Sequence, residues 1–102
     1  MIRNSRNSDV KIIFSNATGW NNELMTYPKE IIKTASSLPQ IASELRKKLL
    51  DQTDSTGFWM VNVGIKQYFG YSVPIIRSGF GLYYFLLEIG EIVVKGELID
   101  HR

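Results

Sequence analysis

Cysteine is absent from this chain of 102 residues, and histidine occurs once, as the penultimate residue His101. Without cysteine the chain has no disulfide framework, no thiolate nucleophile and no cysteine-based metal site. With a single terminal histidine, most acid–base, metal and catalytic-triad chemistry lacks its usual side chain. The composition therefore predicts a protein that is not an enzyme, with no catalytic residues, no metal site and no cofactor.

Carboxylates are the remaining candidates for catalysis, and Glu88 and Glu91 are the pair that lies close together in an apolar stretch. They flank Gly90 in a pattern typical of a hairpin turn, so solvated turn residues are a better interpretation than a catalytic pair. A small enzyme with Asp, Glu or Tyr chemistry in a dimer cleft stays as an alternative, although no residue spacing specifies one.

Long hydrophobic runs are also missing. The longest nearly charge-free run, Phe80–Ile89, is far too short to cross a bilayer, and no basic segment followed by an apolar one opens the chain. A formal net charge of +2 is weak and does not by itself suggest a nucleic-acid partner. These absences predict a cytoplasmic protein without a membrane partner.

The N-terminal stretch differs in composition from the rest. Residues 1–9 are polar, rich in Asn and Ser and without periodicity, which predicts a flexible tail before a single domain at residues 10–102. The domain opens with Val10–Phe14, whose alternation predicts a short strand with its first, third and fifth residues on one side.

Helical spacing follows in two segments. The first begins at Tyr27, where Pro28 suits the first turn because its missing N–H would be unpaired there. The second begins at Pro39 for the same reason. The basic cluster Arg46-Lys47-Lys48 is interpreted as the solvated face of this second helix, with contact to a phosphate or an acidic partner as the alternative.

Four strand-like runs occupy the rest of the chain: Phe58–Ile65, Tyr68–Ile75, Phe80–Ile89 and Ile92–Ile99. Pro74 cannot donate to a strand ladder, so the second of these runs is expected at a sheet edge. The order strand, helix, helix, then strands predicts an α+β domain, with two helices packed on one face of an antiparallel sheet.

The second face of this sheet is expected to be apolar. The run Leu82–Leu87 is apolar on both faces, and Phe58 and Met60 are apolar opposite Trp59. Soluble monomers seldom expose such a patch, so packing against an identical chain with two-fold symmetry is the favoured solution. Terminal segments folded over this face are the alternative.

The run that contains Pro74 also suggests a binding role. Gly70 permits close backbone approach, and an edge strand can accept an added peptide strand, with Ser72 and neighbouring aromatic residues providing selectivity. The alternative is that Gly70 allows a bulge and that the aromatic residues fill the core.

Several segments together resemble the small homodimeric dynein light chains. They are the opening "VKIIFSNA", the helical segments "IIKTASSL" and "IASELRKKLLD", Trp59 placed five residues before Gly64 in "WMVNVG", and "YFGYSV". The resemblance covers roughly residues 10 to 95, and the Trp…Val-Gly…Phe-Gly series is its most specific part.

The resemblance implies a non-enzymatic homodimer in which one strand crosses to the partner's sheet. Short segments of client proteins, often with Thr-Gln-Thr, add as a strand beside the crossing strand and the second helix. Such proteins act in dynein motors on the microtubule cytoskeleton and elsewhere, so the dynein intermediate chain is one candidate client. The crossing strand corresponds to about Phe69–Ile75.

The same resemblance assigns the site residues. The peptide-binding residues are Gln67, Tyr68, Phe69, Gly70, Tyr71, Ser72, Val73, Tyr83 and Phe85. The dimer-interface residues are Trp59, Met60, Phe69, Tyr71 and Val73.

Two departures from the family predict altered behaviour. Leu38-Pro39-Gln40 stands where the family has an acidic–basic pair and a capping Asp that help to hold the client glutamine, so a different client preference is expected. Met60 stands where the family has a histidine that makes its dimer pH-sensitive, so this switch should be missing.

Single-stranded nucleic-acid binding is the alternative function. It would use the aromatic residues of the strands together with the Arg46-Lys47-Lys48 cluster. The aromatic residues in question are Tyr68, Tyr71, Tyr83 and Tyr84. The low net charge argues against this partner, as does the scarcity of basic residues among the strands.

Overall fold

The computed structural model describes residues 2–16, 18–53, 58–69 and 81–99. The helices are α1 (Ile2–Ser5), α2 (Asn21–Thr34), α3 (Leu38–Thr53) and α4 (Lys66–Phe69), and a 3₁₀ turn at Thr18–Trp20 precedes α2. The strands are β1 (Val10–Ser15), β2 (Phe58–Ile65), β3 (Gly81–Ile89) and β4 (Ile92–Ile99).

The four strands form one antiparallel sheet in the order β1-β3-β4-β2. The predicted α+β class is confirmed. The predicted hairpin between β3 and β4 is also present: Ile89 pairs with Ile92, and Gly90 turns the chain with a φ of 60°. Glycine suits this position because side chains disfavour positive φ.

Both long helices pack on one face of the sheet, α2 against β1 and α3 against β2. The alternation of the strands places one set of side chains beneath the helices, including Trp59, Phe85, Leu87 and Val94, which are buried. The helices contribute the apolar residues Leu24, Ile31, Ile32, Ile41, Leu45 and Leu49. The core therefore lies in one layer between the helix pair and the sheet.

The register of β1 differs from simple alternation. Ile12 pairs with Leu87 and Phe14 pairs with Leu86, so Ile13 is an extra residue at a β-bulge. The bulge moves Phe14 to the face opposite the helices, where its ring stacks on Tyr84 with 4.7 Å between centroids. The prediction that Phe14 shares a face with Val10 is therefore wrong.

The first long helix begins earlier than Tyr27. It starts at Asn21 and contains Pro28 in its interior, where proline normally removes a hydrogen bond and disfavours the helix. Pro28 is buried with Leu24 and Ile31, and this apolar packing outweighs the lost bond.

The second long helix begins where the sequence predicts, with Pro39 in its first turn. The hydroxyl of Ser37 accepts a hydrogen bond from the Gln40 backbone N–H at 3.2 Å, and Gln40 Oε1 accepts one from the Ser36 N–H at 2.9 Å. This reciprocal arrangement is close to a capping box and satisfies N–H groups at the helix start.

The N-terminal segment differs from the flexible tail predicted for residues 1–9. Residues 2–5 form one helical turn, and the buried hydroxyl of Ser5 accepts a hydrogen bond from the Glu91 N–H at 3.2 Å. Arg6 Nη2 donates to the Ala35 carbonyl at 3.1 Å. Polar side chains thus tie this segment to the β3–β4 turn and to the end of α2.

The strand predicted at Tyr68–Ile75 is wrong at its start, since Lys66–Phe69 form the helical turn α4. The rest of that run, from Gly70 onward, lies outside the described residues. The bounds predicted for β2 and β4 match the structure, and β3 begins at Gly81, one residue after the predicted Phe80.

Gly96 is a position where a side chain has no room. Val61 and Phe85 flank it on the helix-facing side, and a Cβ at Gly96 would overlap the Phe85 ring. We expect Gly96→Ala to lower the free energy of unfolding by about 1–3 kcal/mol, measured by urea titration. Gly19→Ala is the control, because nothing lies within 4 Å of its Cβ. Equal stability of the two variants would contradict this packing.

The Asp9 carboxylate is held by Lys29, whose Nζ lies 2.6 Å from Oδ1. The hydrogen bond and then the charge of Lys29 lower the pKa of Asp9 below its ordinary value of 3.8. A lowered pKa contributes stability above the unfolded-state pKa, and this stability is lost as the pH falls through the folded-state pKa.

We expect Lys29→Met to return the pKa of Asp9 to its ordinary value, measured by NMR titration of the carboxyl carbon. Lys33→Met removes the same charge from an exposed position of α2 and should leave that pKa lowered. An Asp9 pKa that is equal in the wild type and in Lys29→Met would show that the pair does not form.

Candidate functional site

The two edges of the sheet differ in their protection against further pairing. The outer strand β1 has a lysine, Lys11, and the bulge at Ile12–Phe14, both of which hinder the addition of another strand. The other outer strand, β2, is eight residues long and contains neither a charged residue nor proline. Its eight residues pair with β4 without a register shift. Within the described part of the chain, the outer edge of β2 is therefore a regular strand edge open to pairing.

The hydrogen-bonding pattern tells which residues of β2 face outward. Lys66 donates its backbone N–H to the Glu91 carbonyl at 2.7 Å, in register with the β2–β4 ladder. Antiparallel partners alternate between hydrogen-bonded and non-hydrogen-bonded pairs. Counting back from Lys66, the even-numbered residues bond to β4, and the odd-numbered residues direct N–H and C=O to the outer edge. The outward residues are Trp59, Val61, Val63 and Ile65.

A cleft of about 280 Å³ lies at this strand. It is lined by Trp59, Met60, Val61 and Asn62 of β2, and by Arg46 of α3. Arg46 is exposed and, among the described residues of the lining, is the only charged one. Trp59 is 1% exposed, and its indole Nε1 has no hydrogen-bond partner among the described residues. The cleft thus combines strand backbone, apolar surface and one cation.

The sheet face opposite the helices is mixed rather than uniformly apolar. Met60 on this face is 47% exposed, whereas Leu86 and Val93 are already buried. Charged side chains lie between them, and Lys66 Nζ is 2.9 Å from Glu88 Oε1. The expected contiguous apolar patch is therefore interrupted, because Lys11 of β1 and Lys95 and Glu97 of β4 also lie on this face.

The structure separates the residues predicted for peptide binding. Phe85 is fully buried in the core, with its ring centroid 5.8 Å from that of Trp59, so it does not line an open groove. Tyr83 is 38% exposed, and its ring contacts Trp20 at 5.0 Å. Gln67 is exposed on α4. Tyr68 and Phe69 belong to α4, while Gly70, Tyr71, Ser72 and Val73 lie outside the described residues.

The predicted dimer-interface residues also differ in their exposure and position. Trp59 is buried within the single chain and offers no side-chain surface to a partner, whereas Met60 is exposed on the face opposite the helices. Phe69 belongs to α4, and Tyr71 and Val73 lie outside the described residues.

Sequence reasoning missed two features of this site. It considered an open edge only at the run that contains Pro74, most of which lies outside the described residues, although the uncharged alternation of Phe58–Ile65 is itself a signal for an unprotected edge. It also assigned Arg46 to a solvated helix face, and only the packing of α3 on β2 brings Arg46 to the cleft.

The aromatic residues considered for nucleic-acid binding do not form one surface where they are described. Tyr83 and Tyr84 are consecutive in β3 and point to opposite faces of the sheet. Each already contacts another ring, Tyr83 that of Trp20 and Tyr84 that of Phe14.

Comparison with known proteins identifies no relative. The chain matches no protein-family model, and a search of curated proteins returns no significant match. The dynein light chain resemblance therefore stays a prediction.

Among the described residues, none of the helices has the length and apolarity to span a bilayer, and no cluster of three or more His, Asp or Glu side chains could hold a metal ion.

The alternating edge of β2 gives a test by amide hydrogen exchange. At high dilution, we expect the outward N–H groups of Val61 and Val63 to exchange faster than those of Met60, Asn62 and Gly64, which bond to β4. Slow exchange at the outward positions in a sample shown to be monomeric would mean that the edge is already covered. NMR-detected exchange resolves these amides individually.

Proposed function

We propose that the protein is a non-enzymatic homodimeric adaptor that binds short linear segments of client proteins by strand addition. The observation that carries this proposal is the long, uncharged and regularly paired outer edge of β2. Proteins normally protect such an edge with charges, proline or bulges, as this chain does at β1. An unprotected edge beside a cleft is the arrangement used for strand addition.

In this proposal the outer backbone of β2 pairs with the crossing strand of the second copy, and the client segment adds to the free edge of that crossing strand. Four residues direct N–H and C=O groups outward, and a typical intramolecular hydrogen bond contributes about 0.5–1.5 kcal/mol net. Part of that gain is offset by the ordering of a flexible peptide. A single added strand therefore binds modestly, and groove side chains and multivalency must supply the remainder.

The side chains at the cleft supply selectivity. Arg46 is the charged residue of the lining and favours an acidic residue in the added segment, while Met60 and Val61 provide apolar contact. This preference differs from the neutral Thr-Gln-Thr motif that the family resemblance implies. It agrees with the altered client choice expected from Leu38-Pro39-Gln40.

The second copy of the chain provides the crossing strand that pairs with this edge, and the client segment adds beside that crossing strand rather than in its place. The family resemblance assigns the crossing strand to about Phe69–Ile75; Phe69 belongs to α4, and the rest of this stretch lies outside the described residues. A two-fold dimer formed in this way has two client sites, and two linked sites raise the effective affinity for dimeric clients. The proposed setting is cytoplasmic and cytoskeleton-associated, with the dynein intermediate chain as one candidate client.

Val63→Pro tests whether pairing at the outer edge of β2 holds the dimer. Proline removes an outward N–H while sparing the bonds to β4, so we expect the wild type to sediment as a dimer of the 11.7 kDa chain and the variant as a monomer. Val63→Ala is the matched control, because it loses the side chain but keeps the N–H. A wild type that stays monomeric at high concentration, or a dimeric Val63→Pro, would contradict this assembly.

An NMR titration then separates client binding from dimer formation. A peptide with an acidic residue within a β-prone segment should shift the amides of β2 and the first half of α3, and Arg46→Gln should weaken this binding about three- to tenfold. Lys47→Gln removes the same charge from a neighbouring exposed position and should not weaken it. A dimer that binds no such peptide would retain the assembly and reject the adaptor role.

A further inference from the structure

A second cavity lies away from the β2 edge, between α2 and α3. It has a volume of about 50 Å³ and is lined by Trp20, Glu23, Tyr27 and Leu49. Glu23 and Tyr27 are one helical turn apart on α2, and Trp20 precedes them in the 3₁₀ turn. Glu23 and Tyr27 also line a more open depression of about 190 Å³, which gives the cavity a neighbouring recess on the surface of α2.

The Glu23 carboxylate in this lining has one buried oxygen without a hydrogen-bond donor among the described residues. Glu23 Oε2 is buried, and within the described residues no hydrogen bond reaches it. Asn21 Oδ1, in the same first turn of α2, is likewise buried and unpartnered. Both atoms are acceptors, and burial without a donor is unfavourable, so such groups are normally satisfied by a water, an ion or a ligand. A positively charged donor meets the need of a carboxylate best.

The aromatic residues of the lining are held in place by their neighbours. The Trp20 ring lies 5.0 Å from that of Tyr83 and 5.8 Å from that of buried Trp59. Lys48 Nζ lies 5.1 Å from the centroid of the Tyr27 ring, so this ring already takes part in a cation–π contact within the chain. Leu49 is 1% exposed and closes the apolar side of the cavity.

We propose that this cavity, here called the Trp20–Glu23–Tyr27 site, binds an alkylammonium group that carries at least one N–H. Aromatic faces attract the charge and the methyl groups, and the Glu23 carboxylate accepts the hydrogen bond. A volume of about 50 Å³ holds about three or four water-sized groups, which suits a nitrogen with two methyl groups. The site is independent of strand addition at β2 and does not require the proposed adaptor function.

Dimethylammonium chloride is the direct probe of this site. The chain has two tryptophans, so the two indole N–H signals of a ¹⁵N-labelled sample can be assigned with Trp20→Phe. At constant ionic strength set with sodium chloride, we expect a saturable shift of the Trp20 signal. Tetramethylammonium, which has no N–H, should bind several-fold more weakly. The absence of a saturable shift with dimethylammonium, or equal binding of tetramethylammonium, would overturn the proposal.

Two substitutions test the residues that carry the site. Glu23→Gln keeps the size of the side chain and removes its charge, and it should weaken dimethylammonium binding about tenfold or more. Glu91→Gln removes the same charge from an exposed turn and should leave the affinity unchanged. Tyr27→Leu keeps an apolar residue without the aromatic face and should also weaken binding. Unchanged affinity in folded Glu23→Gln would refute the role of the carboxylate.

Substitution of Lys48 is expected to strengthen dimethylammonium binding, in contrast to the two substitutions above. Its ammonium group contacts Tyr27 and lies 3.8 Å from Glu30, so it adds positive charge beside the site. Lys48→Gln should therefore strengthen dimethylammonium binding about two- to fivefold, whereas Lys47→Gln, its exposed neighbour, should have a smaller effect. Weaker binding in Lys48→Gln than in Lys47→Gln would contradict the proposed competition.

The source of the ammonium group is distinguished by a pair of peptides. A short peptide with one dimethyllysine, compared with the same peptide carrying alanine, should shift the Trp20 signal only when the modified lysine is present. Tighter binding of this peptide than of dimethylammonium identifies a lysine side chain as the natural ligand, and tighter binding of the free amine identifies a small metabolite. If the alanine peptide shifts Trp20 equally, the ammonium group is not what the site recognises.

Discussion

The contact of the Phe85 ring with the bare backbone of Gly96 underlies the rest of this structure. It allows an aromatic ring to lie flat on the central pair of strands, where any side chain on Gly96 would displace it. Phe85 contacts Trp59 on one side, and Trp59 contacts Trp20 in turn. This chain of rings runs from the centre of the sheet to the start of α2. It thereby positions both the cleft at β2 and the cavity beside Glu23.

The two edge strands of the sheet differ, because β1 is protected against the addition of another strand and β2 is open to it. Lys11 and the bulge at Ile12–Phe14 make β1 a poor template for another strand. Among the described residues, the outer edge of β2 has no comparable device, although α3 packs on one of its faces. The outer edge of β2 can therefore offer backbone hydrogen bonds to an added strand, while α3 covers one face of β2.

The basic residues of α3 occupy different environments despite being consecutive. Arg46 lines the β2 cleft, whereas Lys48 reaches across to Tyr27 and Glu30 of α2. Successive helical residues are about 100° apart around the axis, so Arg46 and Lys48, which are two positions apart, lie about 200° apart on nearly opposite sides of the helix. Lys47 lies between them and is exposed, which makes it a natural control for both proposals. The two proposed sites are thus carried by one helix and can be altered separately.

The sequence by itself determined the α+β class, the order of β1, α2, α3, β2, β3 and β4, the bounds of β2 and β4 and the start of α3. These features depend on local signals: alternation in strands, apolar spacing in helices, and proline in a first helical turn. The position of Trp59 and Phe85 beneath the helices also follows from alternation once the helix-covered face is known.

Only the tertiary structure decided the other features of the fold and of the cavity. The bulge that turns Phe14 to the other face depends on pairing with β3, and the extension of α2 through Pro28 depends on burial of that residue in the core. The anchoring of Ser5 and Arg6 depends on groups far along the chain, at Glu91 and Ala35. The cavity beside Glu23 needs Leu49 from another helix. In each case the deciding energy comes from contacts between residues distant in sequence, which local patterns do not contain.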